Sequence, residues 1–393
     1  MRTSVAFLFV TIFLFSSFPV TAAAGQQYVY VGNAGNTSIS EFAVNSDGNL
    51  KTLGRVISPI CGTPTYLSTA GRVLLAAGNY TPTCNSGELG GALIYLYPIL
   101  SSGTLGAVSQ AFENDVGDAV LDKTGRLAFT SAASFNPHAF QVSINGWNVS
   151  KNNLKTPLPG SPYAFFFNSQ TGDGYLPYAL QVATKDDYLY GVFSGYSGYN
   201  ETQAGLLGVM TLLPDGGVGT FVAKPAVGCK GSGVTGVSGP LLVLANLKSG
   251  TATYQPCLSG TKNVVGVSII NSSTGIVTKT YNAFEPPSGM SVAPIAVDPS
   301  GRWLVASNGK GKIDILAINQ ANGSLTEPPR HIFSVGASSV AFNHTNKFLY
   351  AAQTSKNRVA VYAFNPETGS ITLPALGTQL SGPSPTVVVV AQP

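Results

Sequence analysis

Of the 393 residues 44% are hydrophobic and only 10% charged, and 21 basic against 17 acidic side chains leave a formal net charge of +4. The basic residues are scattered, with no run interleaved with aromatics, so a nucleic-acid-binding surface is excluded. A chain of this length exceeds the usual single packed core and calls for a repeat architecture, in which each unit packs only on its neighbours.

The N-terminus comes first. Met1-Arg2 precedes an apolar stretch from Val5 to Phe15, polar Ser16-Ser17, and the small residues Ala22, Ala23 and Ala24. A positive tip, a short apolar core and an A-x-A site predict a secretory signal cleaved after Ala24. The apolar core falls short of the ~20 residues that span a bilayer. Residues 1–24 are therefore expected to be a leader and 25–393 one exported domain, secreted or periplasmic, with no integral membrane segment after cleavage.

From Tyr28 onward the predicted elements are short strands. Val, Ile, Thr, Tyr and Phe recur in brief runs, which is strand chemistry. A turn signature repeats seven times, at Gly48, Gly103, Asn153, Gly216, Gly275, Gly323 and Gly369, spaced 46–63 residues apart. Each copy is a polar residue, small or polar residues, then Gly or Asn ahead of an aliphatic residue. Gly or Asn supplies the positive φ that tight hairpins need. Seven copies near a 50-residue period predict an all-β, seven-bladed β-propeller with four antiparallel strands per blade.

A second signature lies between apolar runs: Gly71-Arg72, Gly125-Arg126, Gly301-Arg302 and Asn346-Lys347. It is read as the hairpin between the innermost and second strands of a blade. Blade 4 has a degenerate copy at Thr184–Asp187, and blade 5 has no clear one. Tyr28–Val31 lacks the signature and reads as a second strand. The missing innermost strand is supplied by Thr386–Val390, so the C-terminus is expected to close the ring on the first blade and remove open sheet edges. Closed in this way, the domain is expected to be a monomer.

Four cysteines in an exported chain favour disulfides, and four allow three pairings. The repeat register puts Cys61 before the innermost strand of blade 2 and Cys84 in the loop after its second strand. Cys229 and Cys257 hold the same two places in blade 5. The expected pairs are Cys61–Cys84 and Cys229–Cys257, each worth roughly 3 kcal/mol in the chain-entropy account. No Cys-x-x-Cys or His pair accompanies them, so neither a metal nor a cofactor is expected.

These repeats resemble those of the lactonase-type seven-bladed propeller family, which includes propeller 6-phosphogluconolactonases with Tyr-Val-Thr-Asn-like repeats. The carrying residues are Tyr28–Asn33, Val297–Leu304, Lys347–Tyr350, Val359–Gly369 and Pro383–Thr386. The resemblance implies the propeller fold and, in the family's enzymes, hydrolysis of a sugar lactone on one rim. It also implies a His near the start of the third innermost strand, where this chain has Asp118. The fourth innermost strand starts Tyr175-Leu-Pro-Tyr178, without the family's Arg and His.

Innermost-strand starts and the loops after second strands share one rim around the channel mouth, a natural ligand site. The register places Asp115, Asp118, His138, Tyr178, Tyr196, Tyr199 and Glu201 there, with Lys310, Lys356 and Arg358 from blades 6 and 7. A lactone hydrolase needs a base for water and a cation or donor for the oxyanion. Asp118 or Glu201 fits the first role and His138 or Arg358 the second. Asp115, Tyr178, Tyr196, Tyr199, Lys310 and Lys356 are candidate ligand contacts. Two functions remain open at this stage: an exported lactone hydrolase, or a non-catalytic propeller that binds a small-molecule ligand or a protein partner on this rim.

Overall fold

Six of the seven outer hairpins are closed by a glycine that also seats a neighbouring blade. A computed structural model of the chain describes residues 25–57, 63–79, 91–114, 116–136, 139–150, 153–164, 167–168, 173–183, 185, 187–197, 200–223, 226–230, 242–259, 262–286, 293, 295–307, 312–326, 330–333 and 336–393. The expected leader, residues 1–24, lies outside them. Six of the seven turn markers have a positive φ: Gly48, Gly103, Gly216, Gly275, Gly323 and Gly369. At Gly103 a Cβ would sit 1.9 Å from Cε1 of Tyr28, and at Gly48 it would sit 2.3 Å from Cδ1 of Phe348. The missing side chain is thus a docking space for the ring that opens the previous blade's second strand.

The strands form seven four-stranded antiparallel blades. Blade 1 runs Pro385–Ala391, Tyr28–Asn33, Ser38–Val44 and Leu50–Ile57 from the axis outward. The C-terminal strand pairs with the first strand of the chain, Tyr28 opposite Ala391 and Val31 opposite Val388. The ring is sealed as the sequence predicts. Blade 2 holds Thr63–Ala70, Val73–Asn79, Gly91–Pro98 and Ser109–Asn114, and blade 3 Val116–Leu121, Leu127–Asn136, Ala139–Ser150 and Asn153–Pro157. Blade 4 holds Asp173–Val182, Tyr188–Ser197, Asn200–Leu212 and Val218–Ala223, and blade 5 Val243–Leu247, Gly250–Ser259, Lys262–Ile270 and Val277–Phe284. Blade 6 holds Ile295–Val297, Trp303–Ser307, Lys312–Ala317 and Arg330–Phe333, and blade 7 Ser339–Phe342, Phe348–Gln353, Arg358–Asn365 and Gly377–Leu380. Among the described residues no helix is long and apolar enough to cross a membrane.

The core is divided. Buried apolar side chains fall into seven clusters, each lying between two adjacent blades. Val29, Val31 and Phe42 of blade 1, for example, pack on Tyr350, Val359 and Val361 of blade 7. Tyrosines of the second strands lock the same junctions. The hydroxyls of Tyr30, Tyr254 and Tyr350 donate to the carbonyls of Gly103, Gly323 and Gly48, at 2.8, 2.7 and 3.3 Å. Tyr254→Phe leaves the Gly323 carbonyl without this donor and is expected to cost about 1 kcal/mol in chemical denaturation.

Three expectations about blades 4 and 5 change. The inner hairpin of blade 5 is Leu247-Lys-Ser-Gly250, with Leu247 paired to Gly250. Asn200 and Glu201 open the third strand of blade 4 rather than occupying a loop. Cys257 sits inside the second strand of blade 5, opposite Val264, and is buried. The extra strand Ala226–Lys230, which carries Cys229, bridges the two blades by pairing Ala204 with Lys230 and Lys230 with Leu258. This register puts the backbones of residues 229 and 257 on diagonal positions of neighbouring strands. Cys61 and Cys84 lie outside the described residues, and so does the Cys229 side chain.

Candidate functional site

The innermost strands surround a central channel, and their N-terminal ends form its upper mouth. In blades 1 to 4 the strand carries one extra residue at the same register. Val387 pairs with Gly32 and Pro385 with Asn33, leaving Thr386 unpaired. Thr65, Gly117 and Tyr178 are left out in the same way in blades 2, 3 and 4. Such bulges re-aim side chains and recur beside active sites. The Thr386 hydroxyl lies 3.1 Å from the carbonyl of Gly32 and 2.9 Å from that of Pro64, while Oγ1 of Thr65 is buried with no protein partner.

Just below this mouth stands Asp118, the residue after the blade 3 bulge. Leu180 N–H of blade 4 donates to Oδ2 at 2.7 Å, and Ala119 N–H donates to Oδ1 at 2.8 Å. Ser339 makes the equivalent link from blade 7 to blade 1, accepting the N–H of Val388, and Ser68 makes a similar one two residues lower between blades 2 and 3, accepting the N–H of Leu121. Asp118 thus replaces a hydroxyl by a carboxylate at a joint between blades. Burial pushes its pKa up to about 7, against the lowering effect of the two N–H donors. Its neighbour Tyr66 has its phenol held up by burial and, secondarily, by the charge of Asp118. The two residues share a small cavity of about 60 Å³ with Ser68, Leu180 and Val387 among its walls. A cavity of that size holds ordered water when polar groups face it.

The other residues predicted for the site distribute as follows. Arg358 opens the third strand of blade 7, half-buried, and its Nε donates to Oε1 of Gln353 at 2.7 Å. Lys356 is exposed in the short 3-10 turn Thr354–Lys356. Among the described residues no ion pair joins either cation to Asp118. Tyr178, Tyr196 and Glu201 belong to blade 4 strands by their backbones, but their side chains lie outside the described residues. Asp115, His138, Tyr199 and Lys310 lie outside them altogether. Tyr66 was not singled out from the sequence. It sits in an ordinary run, Thr65-Tyr-Leu67, and only the bulge before it marks its place beside Asp118. Among the described residues no group of three His, Cys, Asp or Glu side chains could hold a metal ion.

The fold and channel define a seven-bladed propeller with an acid inside its axial tunnel. Residues 264–390 match the family model for the lactonase seven-bladed β-propellers, bearing out the resemblance read from the repeats. No curated protein sequence matches the chain significantly. Among solved structures, a periplasmic gluconolactonase of Pseudomonas aeruginosa superposes with a TM-score of 0.67 at 17% identity, over 94% of this chain and 100% of that one. A candidate 6-phosphogluconolactonase of Bacteroides fragilis gives 0.63 at 16% identity, over 95% and 100%. At these identities the structural likeness establishes the fold alone.

Proposed function

We propose that this protein is an exported lactone hydrolase whose base is Asp118. The observation that carries the reading is a channel-facing carboxyl held near pKa 7 beside a protonated phenol and a water-sized cavity. Strongly perturbed acids in clefts mark functional sites, and a base works best with its pKa near ambient pH. The ionised carboxylate takes a proton from water as the water oxygen bonds to the lactone carbonyl carbon. Tyr66 donates to the developing oxyanion. The ring C–O bond then breaks, and the leaving alkoxide takes the proton back from Asp118, giving the open hydroxy acid. The match to the lactonase family and the likeness to a periplasmic gluconolactonase support this chemistry and an extracytoplasmic setting. Removal of residues 1–24 as a leader belongs to the same proposal.

A binding role without catalysis is favoured by one feature: both Asp118 oxygens already accept backbone N–H groups. A panel of sugar and alkyl lactones, followed by acid release, separates the two. Wild-type protein is expected to hydrolyse at least one of them, with a rate rising through about pH 7. Asp118→Asn is expected to lower that rate by 10²–10⁴-fold, the usual share of a general base. Equal rates in both proteins would remove Asp118 from the chemistry, and no hydrolysis of any lactone would leave the binding role.

A further inference from the structure

Below Asp118 the channel widens toward the opposite rim into a second cavity of about 510 Å³, within the ~300–1,000 Å³ typical of small-molecule sites. All seven blades line it. The half-exposed faces of Val243, Val297, Ala341 and Val389 make its wall aliphatic, with Ser68 and Gln181 at the upper end. A hydrocarbon gains free energy simply by leaving water for such a wall.

The rim of this funnel is built by the hairpins between innermost and second strands, and it is basic. Arg72, Lys123, Arg126, Lys185, Lys248 and Lys347 are all exposed there, and Asp122, Lys123 and His344 line the cavity itself. Two acids on the same hairpins face inward. Asp122 accepts the N–H groups of Arg126 and Leu127, both at 2.7 Å. Asp298 accepts that of Trp303 at 2.6 Å and the side-chain amide of Asn346 at 2.5 Å. Asp187 is the other acid on the described hairpins. An aliphatic shaft ringed by cations is complementary to one kind of small molecule, an alkyl chain ending in an anion.

We propose that the lower funnel binds a medium-chain alkyl carboxylate, its chain in the shaft and its carboxylate among the rim cations near Lys123. The site lies at the other end of the channel from the proposed base, and its occupancy does not depend on hydrolysis.

The test is calorimetric titration of the mature protein with hexanoate, octanoate, decanoate and dodecanoate, each below its micelle concentration. Affinity is expected to rise about fourfold per added methylene until the shaft is full. Lys123→Glu, at an exposed position, is expected to weaken every member several-fold while keeping the chain-length slope. Val243→Phe is expected to stop the rise at a shorter chain. Asp118→Asn is expected to bind as wild type does, so a failed hydrolysis assay does not touch this result. Absent binding, or affinity independent of chain length, would overturn the proposal. So would capture on anionic vesicles without binding of the free carboxylates, because the rim alone would then account for it.

Discussion

Gly103→Ala is expected to lower the stability of the domain by about 2–5 kcal/mol, two effects adding. Gly103 has φ +83, a left-handed conformation that costs a residue with a Cβ roughly 1–2 kcal/mol. The added methyl would also sit 1.9 Å from Cε1 and 2.1 Å from Cδ1 of Tyr28. That ring is tied down, because the Tyr28 hydroxyl donates to the Ser101 carbonyl at 3.0 Å. Overpacking a seated side chain typically costs 1–3 kcal/mol more. Gly71→Ala is the control. Its φ is also positive, +51, but the nearest atom to the new Cβ is the Thr124 carbonyl oxygen at 3.5 Å. It should show the backbone cost alone. Denaturant midpoints of the two variants check this, and equal losses would mean that the aromatic docking at blade junctions contributes nothing.

The second large effect is in the pH dependence of stability. Asp118 has a folded pKa of about 7 against 3.8 for the free side chain. Between those values the folded state binds more protons than the unfolded chain, so stability falls as pH rises. The contribution is fully present below about pH 4 and lost by about pH 7. A shift of this size corresponds to roughly 4 kcal/mol. Glu41, buried at the junction of blades 1 and 2 where it accepts the Leu105 N–H, is raised by burial as well and adds to the same trend. The exposed carboxylates Asp47 and Glu367 are lowered by their partners Asn49 and Arg302 and act in the opposite sense. Asp118→Asn should flatten the loss between pH 4 and 7. It should also destabilise at low pH, because its amide group turns a donor toward one of two N–H donors. Guanidinium denaturation of both proteins across pH 4 to 8 reads the difference directly.

The ring was legible in the sequence because its hairpins depend on local chemistry. A positive φ at Gly48 or Gly369 needs glycine wherever it falls, and Tyr28–Val31 without an upstream turn could only be a second strand. Blade 5 was harder. Its inner hairpin, Leu247-Lys-Ser-Gly250, lacks the Gly-Arg or Asn-Lys pair that marks those of blades 2, 3, 6 and 7. Without that marker Cys257 was placed in a loop by analogy with Cys84 of blade 2. Among the described residues the innermost strand pairs only as far as Tyr254, which leaves Pro256 at the kind of strand edge where a missing N–H is tolerated. The site was half legible. Asp118 stands out as an acid in an apolar strand. The bulges beside it do not, because a bulge is a relation between two strands far apart in sequence. Tyr66 depends on the blade 2 bulge and was hidden with it. Arg358 looked available for an anion, yet its guanidinium is turned to Gln353 on the adjacent strand.

Both the proposed chemistry and the pH dependence require the Asp118 carboxyl to hold its proton near neutrality. Carbon-13 NMR titration of the side-chain carboxyls, with the Asp118 signal assigned by its absence from Asp118→Asn, measures this without any substrate. A midpoint near pH 7 is the result the structure calls for. A midpoint near 4 would mean a solvated, ordinary aspartate, and neither a base at this position nor the expected loss of stability would survive it.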